Sequence, residues 1–423
     1  MHKPARVLMY SQDSYGLGHL RRATNLANAL VCESRDLSVL LVVDSPVALF
    51  FDLEDHIDFV KLPTIIKVGA GVFKAGRLGA SPRLIKTIRS KILRDVLHAF
   101  DPDLILVDHM PGGANGELIP ALRVTRLLQR ARVVLGLRDI LDDPQVTCAV
   151  WDREGYYDTL KRYYDAVLIY GSADVFPTAD HYRISEVMNG GVQYCGYVCN
   201  MGSVKSPPLV RAGIGIGTEP LVVVMAGGGA DARGVMQTYL DALPMVTRTV
   251  RAATVMVTGP FMPEAEQRLL RERGRALGVS VETAVGDSLA YVNAADLVVC
   301  MAGYNTLSEI LRFRKPAIVI PRAGPSAEQR MRSTIFAERG LISLVPPQQL
   351  SPARLAHEIA AALLNPASRK PEAVPALGVG TATRALLKLL WRENGRDRVR
   401  DDKEVMPERR PGAIRRTPAA SAV

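Results

Sequence analysis

Three glycine-rich turns hold the side chains best suited to chemistry, and each follows a strand-like run and opens a helical pattern. The first reads Ser14-Tyr15-Gly16-Leu17-Gly18-His19-Leu20-Arg21-Arg22. Gly16 and Gly18 permit close backbone approach to a ligand. His19 stands at the helix start, where its ordinary pKa suits proton transfer near neutral pH. The second turn, Gly227-Gly228-Gly229, could turn bare N–H groups toward a diphosphate. The third is Gly303-Tyr304-Asn305-Thr306-Leu307-Ser308-Glu309. Gly303 would let the chain turn tightly, Asn305 and Thr306 would offer N–H groups to an anion, and Glu309 could accept from two neighbouring hydroxyls. A polar pair, Glu328-Gln329, follows the next strand-like run, Ala317–Ile320. Each turn can also be read as an ordinary strand–helix connection, with His19 as a cap and Glu309 as a surface residue.

What these turns lack is also informative. The first has no third glycine and no acidic residue closing a second strand, which disfavours a nicotinamide enzyme. The second lacks the Gly-Lys-Ser/Thr ending of a phosphate-binding loop, so ATP hydrolysis is not indicated. Asp108 ends the apolar run Leu104–Val107, and Arg138 and Asp139 end another. Carboxylates at strand ends are plausible partners for His19, with loop capping and salt pairing as the competing reading. Asp142-Asp143 hints at a metal, yet helix N-termini and basic groups can stabilise a departing anion without one; no metal and no cofactor are expected.

The elements that must position these residues alternate in type. Strand-like runs at Val7–Tyr10, Ser38–Val43, Leu104–Asp108, Val133–Leu137 and Ala166–Ile169 are separated by helical patterns at Leu20–Leu30, Pro82–Phe100 and Glu117–Arg130. A second series has runs at Leu221–Met225, Ala253–Val257, Val279–Thr283, Asp296–Cys300, Ala317–Ile320 and Ile342–Val345. Helices at Ser351–Leu364 and Thr381–Trp391 close it. Such alternation predicts an α/β fold of two doubly wound, Rossmann-like domains facing a cleft. The expected boundaries are residues 1–200, a linker over 201–219, a domain over 220–391, and a disordered charged tail over 392–423.

The chain has 423 residues, 48% hydrophobic and 23% charged, with a net charge of +10, so a soluble protein with ample core is expected. The tail has nine basic and six acidic residues, leaving most of the excess on the body. A basic protein suits anionic substrates, an anionic membrane surface or nucleic acid; no nucleic-acid motif is present. Residues 65–80 read as a glycine-rich basic loop. The segment with Arg83, Lys86, Arg89, Lys91 and Arg94 among Leu84, Ile85, Ile88, Ile92 and Leu93 could dock an anionic lipid surface, or be an amphipathic helix with its stripe in the core. No run has transmembrane length and no secretory signal is seen, so the expected location is the cytoplasm, with peripheral contact at the inner face of the cytoplasmic membrane. The five cysteines lack CxxC spacing and read as buried or incidental thiols.

Taken in order, Gly-x-Gly-His-x-x-Arg, the triple glycine and the Gly303–Gln329 segment resemble the two-domain GT-B glycosyltransferases. They are most similar to the N-acetylglucosaminyltransferase that completes the lipid-linked peptidoglycan precursor. The resemblance covers roughly residues 5–365 and is strongest over 285–345. It implies that Gly303, Thr306 and Glu309 bind donor diphosphate and ribose, and that Glu328 and Gln329 hold the donor sugar. It implies that Gly227, Gly228 and Gly229 face the cleft, that backbone near 285–288 holds the base, and that His19 is the base or positions the acceptor. UDP is the family's usual nucleotide. Departures lie at Glu328, where the family has Gln, at Gly229, where it has Ser, and near Gly324, where it has His. The opening motif also looks like nucleotide-sugar hydrolases, in which the histidine would activate water. A non-catalytic nucleotide-sugar-binding or lipid-docking module is a further alternative. The expected activity is sugar transfer from a nucleotide-sugar donor, a UDP-sugar by the resemblance, to an unidentified acceptor, lipid-linked or polysaccharide, with His19 and its partner Asp108 as the catalytic residues that deprotonate or orient the acceptor hydroxyl.

Overall fold

The computed structural model describes residues 4–12, 18–45, 53–69, 72–285, 287–365 and 374–391. Gly16 and the tail over 392–423 lie outside the described residues. The strands of the first half are β1 (Ala5–Ser11), β2 (Leu37–Val43), β3 (Ile57–Lys61), β4 (Ile65–Gly69), β5 (Val72–Ala75), β6 (Leu104–Asp108), β7 (Arg132–Arg138), β8 (Ala166–Tyr170) and β9 (Val192–Tyr194). Those of the second half are β10 (Leu221–Met225), β11 (Ala253–Val257), β12 (Ser280–Glu282), β13 (Leu297–Cys300), β14 (Ala317–Val319) and β15 (Ser343–Leu344).

Two parallel sheets result, ordered β3-β2-β1-β6-β7-β8-β9 and β12-β11-β10-β13-β14-β15. Valine-rich runs make this possible: every residue of β6, β8 and β10 is buried, as a strand covered by helices on both faces requires. Each sheet reverses direction once, between β1 and β6 and between β10 and β13. At such a switch the following loops diverge and leave a crevice beyond the carboxyl ends of the strands. The carboxyl ends of β1, β6, β10 and β13, with the segments that follow them, carry His19, Asp108, the triple glycine and the Gly303–Glu309 turn. Topology therefore brings all four to the two switch points.

The structure departs from expectation in four places. Residues 65–80 contain the antiparallel hairpin β4–β5, in which Ile65 pairs with Ala75 and Ile66 with Lys74. The 201–219 stretch contains a helix, Pro207–Gly213, started by Ser206 and two prolines whose fixed φ suits a first turn. Helix α2 (Pro82–Phe100) buries Ile85, Leu93 and Leu97, and it buries Arg89 as well. Arg89 is bound to Glu117 at 2.6 Å and leaves the proposed basic face. Finally, the lead-in to the last helix, Val379–Trp391, returns to the first sheet: Tyr197 N–H donates to Ala376 O and Gly378 N–H to Tyr197 O, both at 2.8 Å. A Cβ on Gly196 would lie 2.5 Å from Ala376 O, and one on Gly378 would lie 2.2 Å from Cys195 O, so these backbones meet only as glycines.

The two halves are tied by a buried ion pair. Arg332, from the helix Glu328–Glu338, is wholly buried and donates to Asp139 through Nη2 at 2.6 Å and Nε at 2.9 Å. It also donates to Ala302 O at 3.2 Å and Ile140 O at 3.3 Å. Removing one partner of such a pair leaves an uncompensated charge and costs about 3–5 kcal/mol. Asp139→Ala should lower the unfolding free energy measured in urea by that amount, whereas substitution of the exposed Asp241 should change it by less than about 1 kcal/mol.

Candidate active site at the facing switch points

Helix α1 (Gly18–Glu33) begins just beyond β1 and carries His19 and Arg22 three residues apart, hence on one face. Both meet Asp108 at the end of β6. His19 Nδ1 lies in short contact with Asp108 Oδ2. Arg22 Nη2 reaches Asp108 Oδ1 at 2.7 Å and Oδ2 at 2.8 Å. Burial alone would raise the Asp108 carboxyl, but Arg22 and His19 override it and hold it well below the usual carboxylate range. Arg22 Nη2 also lies 2.9 Å from His19 Nδ1. Nδ1 cannot both donate to Asp108 and accept from Arg22. The closer, acceptor-only carboxylate favours a proton on Nδ1. The expected pairing of His19 with Asp108 is present, and its geometry is that of a carboxylate-oriented base.

Across from α1 stands the helix Tyr304–Phe313. Asn305 Nδ2 donates to Gly18 O at 3.2 Å, so the first and third turns touch. Arg21 crosses the same gap, donating to Glu309 Oε1 at 2.8 Å and Ser288 Oγ at 2.7 Å. Glu309 is 3% exposed, and its second oxygen, Oε2, is buried with no hydrogen bond. Burial raises the Glu309 carboxyl despite Arg21 and Arg312. A buried carboxylate oxygen without a donor is costly, and ribose hydroxyls are donors of the right kind. Thr306 is buried nearby. Gly303 has φ −66°, an ordinary value, so the tight-turn reason for glycine does not hold here. A Cβ there would meet nothing nearer than Thr306 Oγ1 at 4.0 Å, so what the glycine does is leave the helix entrance uncovered.

The remaining expected donor residues are engaged within the protein. Glu328 is clasped by Arg138 at 2.8 Å and Arg332 at 2.9 Å, and Gln329 Oε1 accepts from Arg322 N–H at 3.0 Å. Gly227 has open space where a side chain would be, and Gly228 faces Phe261. Gly229 has φ +86°, and a Cβ there would lie 1.9 Å from Thr258 O; its glycine serves loop-on-loop packing. Asp142 accepts from Ala327 N–H at 2.7 Å and Asp143 caps the helix that starts at Pro144, accepting from Gln145 N–H at 2.9 Å. Among the described residues no cluster of acidic, His or Cys side chains is arranged to hold a metal ion.

Sequence reasoning missed Arg21 and Arg332 and gave no role to Tyr304. The Tyr304 hydroxyl donates to Tyr170 O and accepts from Val198 N–H, each at 2.8 Å. The guanidinium groups of Arg22 and Arg332 both lie over its ring, at 5.5 and 5.6 Å. The His19–Arg22 spacing was the one available signal; nothing local marks Arg332, whose partner is 193 positions away.

Beside His19, the ring of His109 lies at 5.1 Å, and burial, then His19 and Arg138, push its pKa well below the ordinary 6.5. The unfolded chain protonates this residue in mild acid while the folded chain does not, so stability falls as pH drops below that ordinary value. Asp108, held low, adds a loss at still lower pH. Thermal unfolding should show Tm decreasing from pH about 7 to about 5, with a shallower decrease in His109→Gly.

Comparison with known proteins bears on this arrangement. Residues 222–381 match the family model described as Glycosyltransferase family 28 C-terminal domain. The UDP-N-acetylglucosamine–N-acetylmuramyl-(pentapeptide) pyrophosphoryl-undecaprenol N-acetylglucosamine transferase of Bacillus cytotoxicus is 24% identical over 207 residues, 49% of this chain and 54% of that protein. An uncharacterized glycosyltransferase of Methanopyrus kandleri is 28% identical over 202 residues, 47% of this chain and 53% of its own. The chain thus spans about half the length of these curated relatives. MurG of Acinetobacter baumannii superposes with TM-score 0.53 at 16% identity, covering 91% of this chain and 100% of that one. A putative UDP-N-acetylglucosamine 2-epimerase from Listeria monocytogenes does so with TM-score 0.60 at 16% identity, covering 90% and 94%. Residues 222–381 therefore match the C-terminal domain of glycosyltransferase family 28, and the chain as a whole has the two-domain GT-B fold.

Proposed function

We propose that the protein transfers a sugar from a nucleotide-sugar donor, a UDP-sugar, to a hydroxyl-bearing acceptor. The observation that carries this reading is the meeting of the two switch points: Gly18 accepts from Asn305, and the base His19 lies one residue away. A base on one half thus stands beside the anion- and ribose-binding turn of the other. The family 28 match over residues 222–381 supports the donor side, as do the activities in the names of the relatives.

In the proposed mechanism the acceptor hydroxyl loses its proton to His19 Nε2 while Asp108 offsets the charge arising on the imidazole. The oxygen bonds to the anomeric carbon as the bond to the diphosphate breaks. Helix N-termini at Gly303 and beyond the triple glycine stabilise the departing nucleotide. Glu309 takes the ribose hydroxyls, with Gly303, Asn305 and Thr306 toward the diphosphate. Glu328 and Gln329 reach the donor sugar on exchange of their present partners.

Purified protein should release UDP from one member of a nucleotide-sugar panel only when a lipid-linked or polysaccharide acceptor is added. Equal release with water alone would identify the hydrolase instead, and binding without turnover a non-catalytic module. His19→Ala should reduce turnover roughly 10²–10⁴-fold. Glu309→Ala should raise the donor KM roughly tenfold or more with a smaller effect on kcat, since a charged hydrogen bond is lost.

The acceptor side includes a face that suits an anionic membrane surface. On α2 and α3 (Ile119–Leu128), Leu84 and Leu127 are 51% and 77% exposed, and Val124 and Leu128 are also exposed. Arg83, Lys86, Lys91 and Arg123 on the same helices are exposed as well, and a cavity of 180 Å³ opens between the end of α2 and α3. No described helix is long and apolar enough to cross a membrane, so contact of this kind would be peripheral. The protein should co-sediment with vesicles containing anionic lipid at low salt, and Leu127→Glu should reduce the bound fraction several-fold; equal binding to neutral vesicles would refute the electrostatic part.

A further inference from the structure

Arg21 occupies one of the two unspecified positions of the opening Gly-x-Gly-His-x-x-Arg, and neither the spacing nor the likeness gives it a role. In the folded chain it stands between two residues of the second half. Nη1 of its guanidinium donates to Glu309 Oε1 at 2.8 Å, and Nη2 donates to Ser288 Oγ at 2.7 Å. Glu309 is the residue proposed to take the ribose, and Ser288 closes the 285–288 segment expected to hold the base. Arg21 therefore belongs to the nucleoside end of the donor site, although α1 of the first half carries it.

A guanidinium is planar and presents its N–H groups as a rigid fork. Held at both tips, it fixes how the Glu309 carboxylate is turned, and it makes the two carboxylate oxygens unequal. Oε1 has a donor, while Oε2 is buried and has no hydrogen bond among the described residues. The other cation acting on Glu309 is Arg312. Its guanidinium is engaged with backbone instead, donating to Gly202 O at 2.7 Å and to Asn200 O. Arg21 is thus the cation that bonds Glu309, and it is the larger of the two influences opposing the burial that favours a neutral carboxyl. A ribose presented to this carboxylate meets one oxygen already bonded and one whose need for a donor is unmet.

We propose that Arg21 is a positioning residue that sets nucleotide specificity: by holding Oε1 of Glu309 it leaves Oε2 to one ribose hydroxyl, so recognition depends on one of the two hydroxyls and not on both. This rests on the proposed ribose role of Glu309. It widens the donor class to nucleoside diphosphates that lack the other hydroxyl.

The first arm of the test needs no variant. Calorimetry measures the binding of UDP, 2′-deoxy-UDP and 3′-deoxy-UDP to the full chain. One deoxy nucleotide should bind at least about tenfold more weakly than UDP, because a hydrogen bond to a charged group is lost, and the other within about twofold of UDP. Equal losses for both would overturn the proposal, since the carboxylate would then take both hydroxyls. The second arm ties the difference to Arg21. Arg21→Ala frees Oε1 and should bring the two deoxy nucleotides within about threefold of each other. Arg21→Lys, which keeps a cationic donor for Oε1, should preserve most of the difference. A contact that merely joined the halves would not discriminate between hydroxyls, so full wild-type selectivity in Arg21→Ala would also overturn the role of Arg21. Failure of the underlying ribose reading has a different signature: UDP and both deoxy nucleotides bind alike, and Glu309→Ala leaves UDP affinity unchanged.

Discussion

A carboxylate that is buried and stays charged needs a cation or strong donors beside it, and this protein buries Asp108 and Asp139 at the ends of the adjacent strands β6 and β7. The two charges are met from different halves of the chain. Asp108 is met by Arg22 of the first half, Asp139 by Arg332 of the second. Both guanidinium groups lie over the ring of Tyr304, whose hydroxyl is itself bonded to Tyr170 and Val198. The charge that orients the catalytic candidate and the charge that joins the halves thus share one aromatic platform. Disturbing either pair would disturb the other's packing, which couples the geometry at His19 to the contact between the two sheets.

Arg21 extends the same logic to Glu309. Its guanidinium occupies one carboxylate oxygen and leaves the other buried without a donor. The arrangement is incomplete in a directional sense: a partner with hydroxyl donors would satisfy Oε2 without displacing Arg21. Glu328 differs, because both of its oxygens are already held by arginines. The nucleotide end of the proposed donor site is therefore nearer to readiness than the sugar end, where internal ion pairs have to rearrange first.

Much of the fold was legible because parallel, doubly covered strands have an unambiguous signature: short branched-apolar runs ending in glycine or a polar residue, separated by helical periodicity. The short strands β3 and β9 and the β4–β5 hairpin escaped because their residues are only partly buried or sit beside glycines that read as loop. Arg89 was misread as a surface charge for a related reason. Periodicity places a residue on a face of α2, but only the position of Glu117 shows that this face has a buried counter-ion.

By itself the sequence determined the order of the long elements, the three turns, His19, Asp108 and Glu309 as candidates, and the likeness that suggested a nucleotide-sugar site. These are local: glycine, strand ends and helix starts have fixed consequences for the neighbouring backbone. Tertiary structure decided which of them meet. The reversal of strand order in both sheets brings turns hundreds of residues apart to the same crevice, and buried charge then selects its partner by proximity in space. Arg21 and Arg332 draw their significance from such encounters, and no spacing along the chain encodes them.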